Sequence, residues 1–431
     1  MKKTALFLIA VLCLGLCLMI PASAEEGAEE PALESEGFRY RLLEDGTAEI
    51  LAYIGKELSL VIPETLDGHP VTSIGDEAFY NYRYSLEDTV IPASVTHIGS
   101  DAFALTDLEK IEIPAGVISM GDNPFGYCEA LKTITVAEGN PVFYVEDGVL
   151  FCLEDHSLVC FPNLAADPYE NEDENEDENE DEDEDEDEYE PVIYTVPAGT
   201  EIIRGDAFGG VECLSEILLP DSLRVIGAQA FGFCWGLDSI TIPDSVTEIG
   251  EAAFDTCKYL SRVVLPAGLK RIPSMLFYQC ENLYEADIPE TVTEIGSSAF
   301  DFCGLLQQVR IPDGVTVIET AAFEGCYSLE SVVIPDNVTE IGPFAFGNCS
   351  ALADIQIPAA VMKIGEYAFE HCSSLKEAAI PDSVQSIGEH AFDFCSEELV
   401  IICGPDSCAK RYCEQNGIAF RTEREGIPPL H

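Results

Sequence analysis

A repeat of 23 residues leaves this chain few ways to fold. Phe208, Phe231, Phe254, Phe277, Phe300, Phe323, Phe346, Phe369 and Phe392 stand 23 residues apart, as do Pro220, Pro243, Pro266, Pro289, Pro312, Pro335, Pro358 and Pro381. Within one unit, Ile240 and Ile242 alternate with Ser239 and Thr241, the period of a strand with one buried face. Pro243 ends that strand, and Asp244 and Ser245 turn the chain through side-chain bonds to local backbone. Val246 and Ile249 return apolar surface to the inside, Gly250 permits a tight bend, and Ala253, Phe254 and Cys257 complete the interior. About eight of every 23 side chains then point inward, which a lone unit cannot bury. Stacked coils bury them, because each covers its neighbour's apolar face while the strands pair at about 4.8 Å per coil. With Phe79, Phe103 and Phe125 the phenylalanine column has twelve positions, which predicts a sheet roughly 60 Å long.

The expected fold class is a repeat solenoid of the leucine-rich-repeat type. It is mainly β, with stacked parallel strands, short turns and a short C-terminal capping helix. Regular coils occupy 191–398, and an irregular stretch over 72–136 carries Ile74-Gly75, Ile98-Gly99 and Ile113-Pro114. Phe125 and Phe208 are 83 residues apart. That interval holds two apolar runs, 148–151 and 158–161, read as a hairpin inserted into one coil within 137–168. The amino end, 37–71, reads as a cap hinged on Asp45-Gly46. At the other end, 399–423, a helical stretch from Ser407 through Arg411 to Gln415 stops at Asn416-Gly417. Solenoids need such caps.

The first residues hold Lys2, Lys3, an apolar run over 5–20 and the small-residue stretch Pro21-Ala22-Ser23-Ala24. This is the pattern of a secretory signal peptide over 1–24, followed by an acidic linker over 25–36. The run falls short of the roughly 18 apolar residues of a membrane span, and acids follow it. The expectation is a secreted, extracellular chain with no membrane insertion after cleavage, ending in a short tail over 424–431. A net charge of −59 argues against nucleic acid, which demands clustered Lys and Arg. It favours cations and basic partners, steered at long range and weakened by salt. Residues 170–190 hold 17 acids in 21 within a segment, 169–190, read as a disordered loop. That run lacks the glycine-centred turn of a calcium loop, which leaves weak calcium binding as its one cofactor chemistry.

The outward strand positions are Glu216/Leu218, Ser239/Thr241, Arg262/Val264, Glu285/Asp287, Gln308/Arg310, Ser331/Val333, Asp354/Gln356 and Glu377/Ala379. No aromatic ridge runs through these pairs. Arg262 and Arg310 are the partner-binding candidates, with Ser239, Thr241 and Gln308 beside them. Cys234, Cys257, Cys280, Cys303, Cys326, Cys349, Cys372 and Cys395 form a third column of period 23. They read as reduced, buried thiols packed like small apolar residues, although neighbours stand within bonding range. Cys152 and Cys160 flank the inserted hairpin and are the candidate disulfide. The six histidines fall at unrelated phases. Neither a nucleophile elbow, a phosphate loop nor a zinc helix motif occurs, so no catalytic residue, metal or bound cofactor is expected.

The units Ile-Pro-Asp-Ser-Val-Thr-Glu-Ile-Gly and Ala-Phe-x-x-Cys-x-x-Leu resemble the BspA-like subfamily of bacterial leucine-rich repeats, from about residue 38 to 420. The resemblance includes the Gly139-Asn140-Pro141-Val142 variant. It implies a bacterial surface or secreted adhesin-like protein, whose relatives bind host matrix or plasma proteins and other cells. Two departures stand out: no sorting signal for cell-wall attachment, and the acidic insert. The expected function is non-catalytic binding of an extracellular protein or glycan. The alternatives are a self-associating surface component assisted by calcium, and an accessory protein for polysaccharide handling.

Overall fold

The computed structural model describes residues 32–55, 60–82, 86, 89–163 and 192–422. The signal peptide, the acidic run and the tail lie outside the described residues, as does most of the acidic linker.

Each regular coil contributes two short strands. The first spans three residues, as in Ser239–Thr241, Arg262–Val264 and Glu285–Asp287, with only the middle side chain buried. Register advances by one repeat per coil, so Ile240 pairs with Val263 and Val263 with Ala286. The second spans two residues. Arg271–Ile272, Glu294–Ile295, Val317–Ile318, Glu340–Ile341, Lys363–Ile364 and Ser386–Ile387 form one continuous parallel ladder.

The third side of the coil is built from turns. There the amide of Phe231 donates to the carbonyl of Ala253 at 2.9 Å, and that of Phe254 to Leu276 at 3.1 Å. These turns place a left-handed residue two positions before and two after each phenylalanine from Phe208 to Phe392, such as Gln229 (φ 50°) and Phe233 (φ 59°) around Phe231. The conformation is uncommon for residues other than glycine.

The interior is columnar because the sequence is. Phe231 and Phe254 stack with centroids 5.1 Å apart and Phe323 and Phe346 at 5.5 Å, which matches the spacing of paired strands. The cysteine column forms a second ladder. Each thiol donates to the carbonyl of the phenylalanine one coil back: Cys234 to Phe208 at 3.1 Å, Cys280 to Phe254 at 3.2 Å, Cys349 to Phe323 at 3.2 Å. Cysteine suits the slot because it is small, apolar and still able to donate.

The eight column thiols are free. Burial pushes those from Cys257 to Cys372 well above the ordinary thiol range. Since the thiolate is the reacting species, the column should resist alkylation by iodoacetamide at pH 8 until guanidinium unfolds the chain. Peptide mass spectrometry reads this directly, and rapid modification of Cys280 or Cys303 in the folded protein would contradict the packing described.

The inserted hairpin is a wall rather than an appendage. Phe143–Glu146, Val149–Cys152 and Ser157–Cys160 pair antiparallel, and Ser157–Cys160 then pairs parallel with Ile202–Ile203. All eight residues of Val149–Cys152 and Ser157–Cys160 are buried, because their two faces serve two cores. Val149, Phe151 and Leu158 pack with the regular coils; Leu150, Cys152, Val159 and Cys160 pack with the irregular ones. A strand buried on both faces reads as an unbroken apolar run, which is how 148–151 and 158–161 read. Phe161 joins the ring column: its amide donates to Ala207 at 2.8 Å and its ring stacks on Phe208 at 5.0 Å. Arg204 pins the seam, donating to Ser157 Oγ (2.8 Å), to the carbonyls of Met120 (3.0 Å) and Gly121 (3.1 Å), and to Asp155 (2.8 Å).

Both ends of the ladder are covered. At the amino end Leu33–Ser35, Phe38–Leu42 and Ala48–Tyr53 pair antiparallel, and the last passes to the parallel strand His69–Ile74. At the carboxyl end a helix, Cys408–Asn416, starts on Ser407, whose hydroxyl accepts from the Lys410 amide at 3.1 Å. It ends at Gly417 in the left-handed conformation, φ 72°, a common helix stop. Ala419–Thr422 then pairs with Val400–Cys403 and closes the sheet edge.

Candidate binding faces

The three-residue strands form the first face. Ser239, Thr241, Arg262, Gln308 and Arg310 all occupy exposed strand positions. Register places Arg262 between Ser239 and Glu285, and Gln308 and Arg310 beside Ser331 and Val333. The two arginines therefore belong to one face, two coils apart, with Glu285 and Asp287 between them. Arg262 pairs with Glu285 at 3.5 Å and Arg310 with Glu290 at 3.0 Å, all four well exposed. Exposed ion pairs of this kind contribute little stability, so a partner's carboxylate can displace them cheaply. The same face carries apolar side chains that residue type alone did not single out: Leu218 is 50% exposed and Val333 74%. Their outward phase was visible in the strand alternation.

The second face is the turn side, where the ring residues sit out of phase with the strands. Phe344, Tyr367 and His390 stack at 4.7 and 5.1 Å, and His371 stacks on Phe394 at 4.6 Å. On the same side, acids directly follow several column phenylalanines: Asp255, Asp301, Glu324, Glu370 and Asp393. Burial lifts the Asp255 carboxyl to about 7. Burial, with Glu324 adding repulsion, lifts Asp301 to about 8. Asp393 accepts from the His390 imidazole at 2.6 Å, a bond that raises the imidazole's pKa. The ridge expected to be missing from the strands is thus present on another side. Sequence phase alone hides it, since recognising it requires knowing that positions two before and two after each phenylalanine face outward together.

The hairpin does not unite the candidate disulfide. The turn sets Cys152 opposite Ser157, Cys160 lies opposite Leu150 beyond a register shift between Leu150 and Phe151, and both thiols are free and buried. The expected bridge needs the two cysteines directly across from each other, and the register set at the turn, which faces Cys152 with Ser157, keeps them apart. Among the described residues no group of three or more His, Cys, Asp or Glu is placed to hold a metal ion. Among them, too, no helix is long and apolar enough to cross a membrane.

Stacked coils with parallel three-residue strands in register on one side and a continuous ladder of two-residue strands on another, a buried leucine and phenylalanine interior and outward faces of variable composition define a leucine-rich repeat protein. The BspA type leucine rich repeat region matches residues 59–155, 193–305 and 293–411 in six copies, and the chain belongs to that family. A leucine rich cell surface protein from Faecalibacterium prausnitzii is 26% identical, with 91% of this chain and 99% of that one covered and a TM-score of 0.51. A leucine-rich repeat protein from Eubacterium ventriosum shares the fold at 19% identity, with 84% and 94% covered and a TM-score of 0.51. No curated protein matches the chain.

Proposed function

We propose that this is an extracellular, adhesin-like recognition protein that binds a surface protein or glycan without catalysis, through its strand face. Support comes from the family, from the likeness to a leucine rich cell surface protein and from the signal-like residues 1–24. The observation that carries the reading is the division of labour within the coil. Inward positions repeat, while the outward pairs change from Ser239/Thr241 to Arg262/Val264 to Glu285/Asp287 on the same backbone. A rigid backbone presenting varied side chains loses little ordering entropy on binding, and arginine is enriched among residues that dominate interfaces.

The test is saturable binding of the secreted chain to immobilised matrix proteins, plasma proteins and whole bacterial cells at physiological salt. The Arg262→Ala/Arg310→Ala double variant is expected to weaken binding to the partner by about tenfold or more. Binding unchanged in the double variant moves the contact off this face, and silence against every target refutes the adhesin reading.

A further inference from the structure

The repeat supplies its own control for the rings on the turn side. In the slot two residues before the phenylalanine column, successive coils place Gln229, Ala252, Met275, Ser298 and Ala321, and then Phe344, Tyr367 and His390. All eight residues are left-handed, so the slot accepts small and polar side chains and the fold does not demand rings. In the slot two residues after the column, Phe233, Thr256, Gln279, Phe302, Gly325 and Asn348 are followed by His371 and Phe394. Gly and Asn adopt that conformation readily, whereas an exposed phenylalanine there is unfavourable on both counts. Phe394 is nevertheless 68% exposed.

Its surroundings identify what would cover it. His371, one coil back, stacks on Phe394. On the forward side a cleft of about 350 Å³ separates the last coil from the C-terminal cap, lined by Phe394, Asp393, Glu397, Asn416 and Gly417 among others. Two carboxylates line it, Glu397 and Asp393, the latter holding His390 through one oxygen at 2.6 Å, and no Lys, Arg or His is in the lining. The ring column therefore stops one step short of the cap, beside negative charge, in a chain of net charge −59. The group that continues such a stack is flat and cationic. Guanidinium lies on aromatic faces and bonds carboxylates through its planar fork, whereas an ammonium group offers a point charge without a face.

We propose that the cleft at the C-terminal end of the solenoid takes an arginine side chain from a basic protein partner, with the guanidinium on the open face of Phe394 and its N–H groups donating to Asp393 and Glu397. This adds a second contact to the recognition reading and does not depend on Arg262 or Arg310, so either site can fail alone. The test is calorimetric titration of the full secreted chain with hexa-arginine and, separately, hexa-lysine at 150 mM salt. General attraction to acids is common to both peptides; stacking is not. Hexa-arginine is expected to bind about tenfold tighter than hexa-lysine. Phe394→Asn, which copies the residue that the fold already holds at Asn348, is expected to erase that preference without shifting the melting temperature. Glu397→Gln should weaken the arginine peptide more than the lysine peptide. Equal binding of the two peptides, binding of neither, or a preference that survives Phe394→Asn each overturns the proposal.

Discussion

Phe300→Ala should destabilise the chain by about 3–5 kcal/mol, read as a lower midpoint in guanidinium denaturation followed by circular dichroism. Phe300 is fully buried, packs at a tilt against Phe277 at 5.4 Å and stacks on Phe323 at 5.3 Å. Truncation therefore removes two ring contacts and opens a void that neighbouring coils cannot close, because their own rings are held by the ladders on either side. In a linear array each coil touches only its neighbours, so the damage sits at one interface and divides the regular coils near their middle. A biphasic transition is the expected signature. Two positions away, Phe302 is only partly buried and left-handed, φ 58°, and Phe302→Gly should cost far less. Equal losses at the two sites would refute the assignment of Phe300 to the load of the interior.

A second large effect concerns pH, and its direction is opposite to that of most proteins. Folding lifts Asp255 to about 7 and Asp301 to about 8, chiefly by burial, and raises Asp206 by burial with repulsion from Asp101 and Asp122. Unfolded, these carboxyls return to a value near 4. Between about pH 4 and pH 8 the folded chain then holds protons that the unfolded chain has lost, so stability is fully present at the acid end and declines as pH rises. Asp255 and Asp301 are 5% and 6% exposed, and their combined effect across that range is on the order of 10 kcal/mol. Repulsion within a chain of net charge −59 acts in the same direction. Melting temperature should rise from pH 8 to pH 5, and Asp301→Asn should flatten the slope. A maximum at pH 8 would rule the account out.

What the sequence makes legible, and what it does not, follows from how far each property depends on neighbouring coils. The interior needs only the period: Ile240, Phe254 and Cys257 recur every 23 residues, and any side chain so repeated must meet its copy. The strand face is legible for the same reason, since Ser239 and Thr241 alternate with buried Ile240. The hairpin is harder, because the apolar runs 148–151 and 158–161 have no polar beat to say which face is inward. Only the fold shows that both are, and that Phe161 takes a place in the ring column. The cysteines at 152 and 160 stand apart because the turn pairs Cys152 with Ser157, a register that spacing does not encode. The turn-side rings are invisible until backbone handedness is known, since Tyr367 and His371 share a face only because both flank Phe369 in the left-handed conformation.

The wall formed by Val149–Cys152 and Ser157–Cys160 has a consequence for how such a gene can change. Near-identical units invite unequal recombination, and within the regular coils a unit gained or lost swaps one interior for an equivalent one while displacing every outward pair by one rung. That translational equivalence ends at the hairpin, whose two faces fit two different cores. Slippage among the later coils can therefore redraw the strand face, one rung at a time, while the amino-terminal core and its cap are inherited intact.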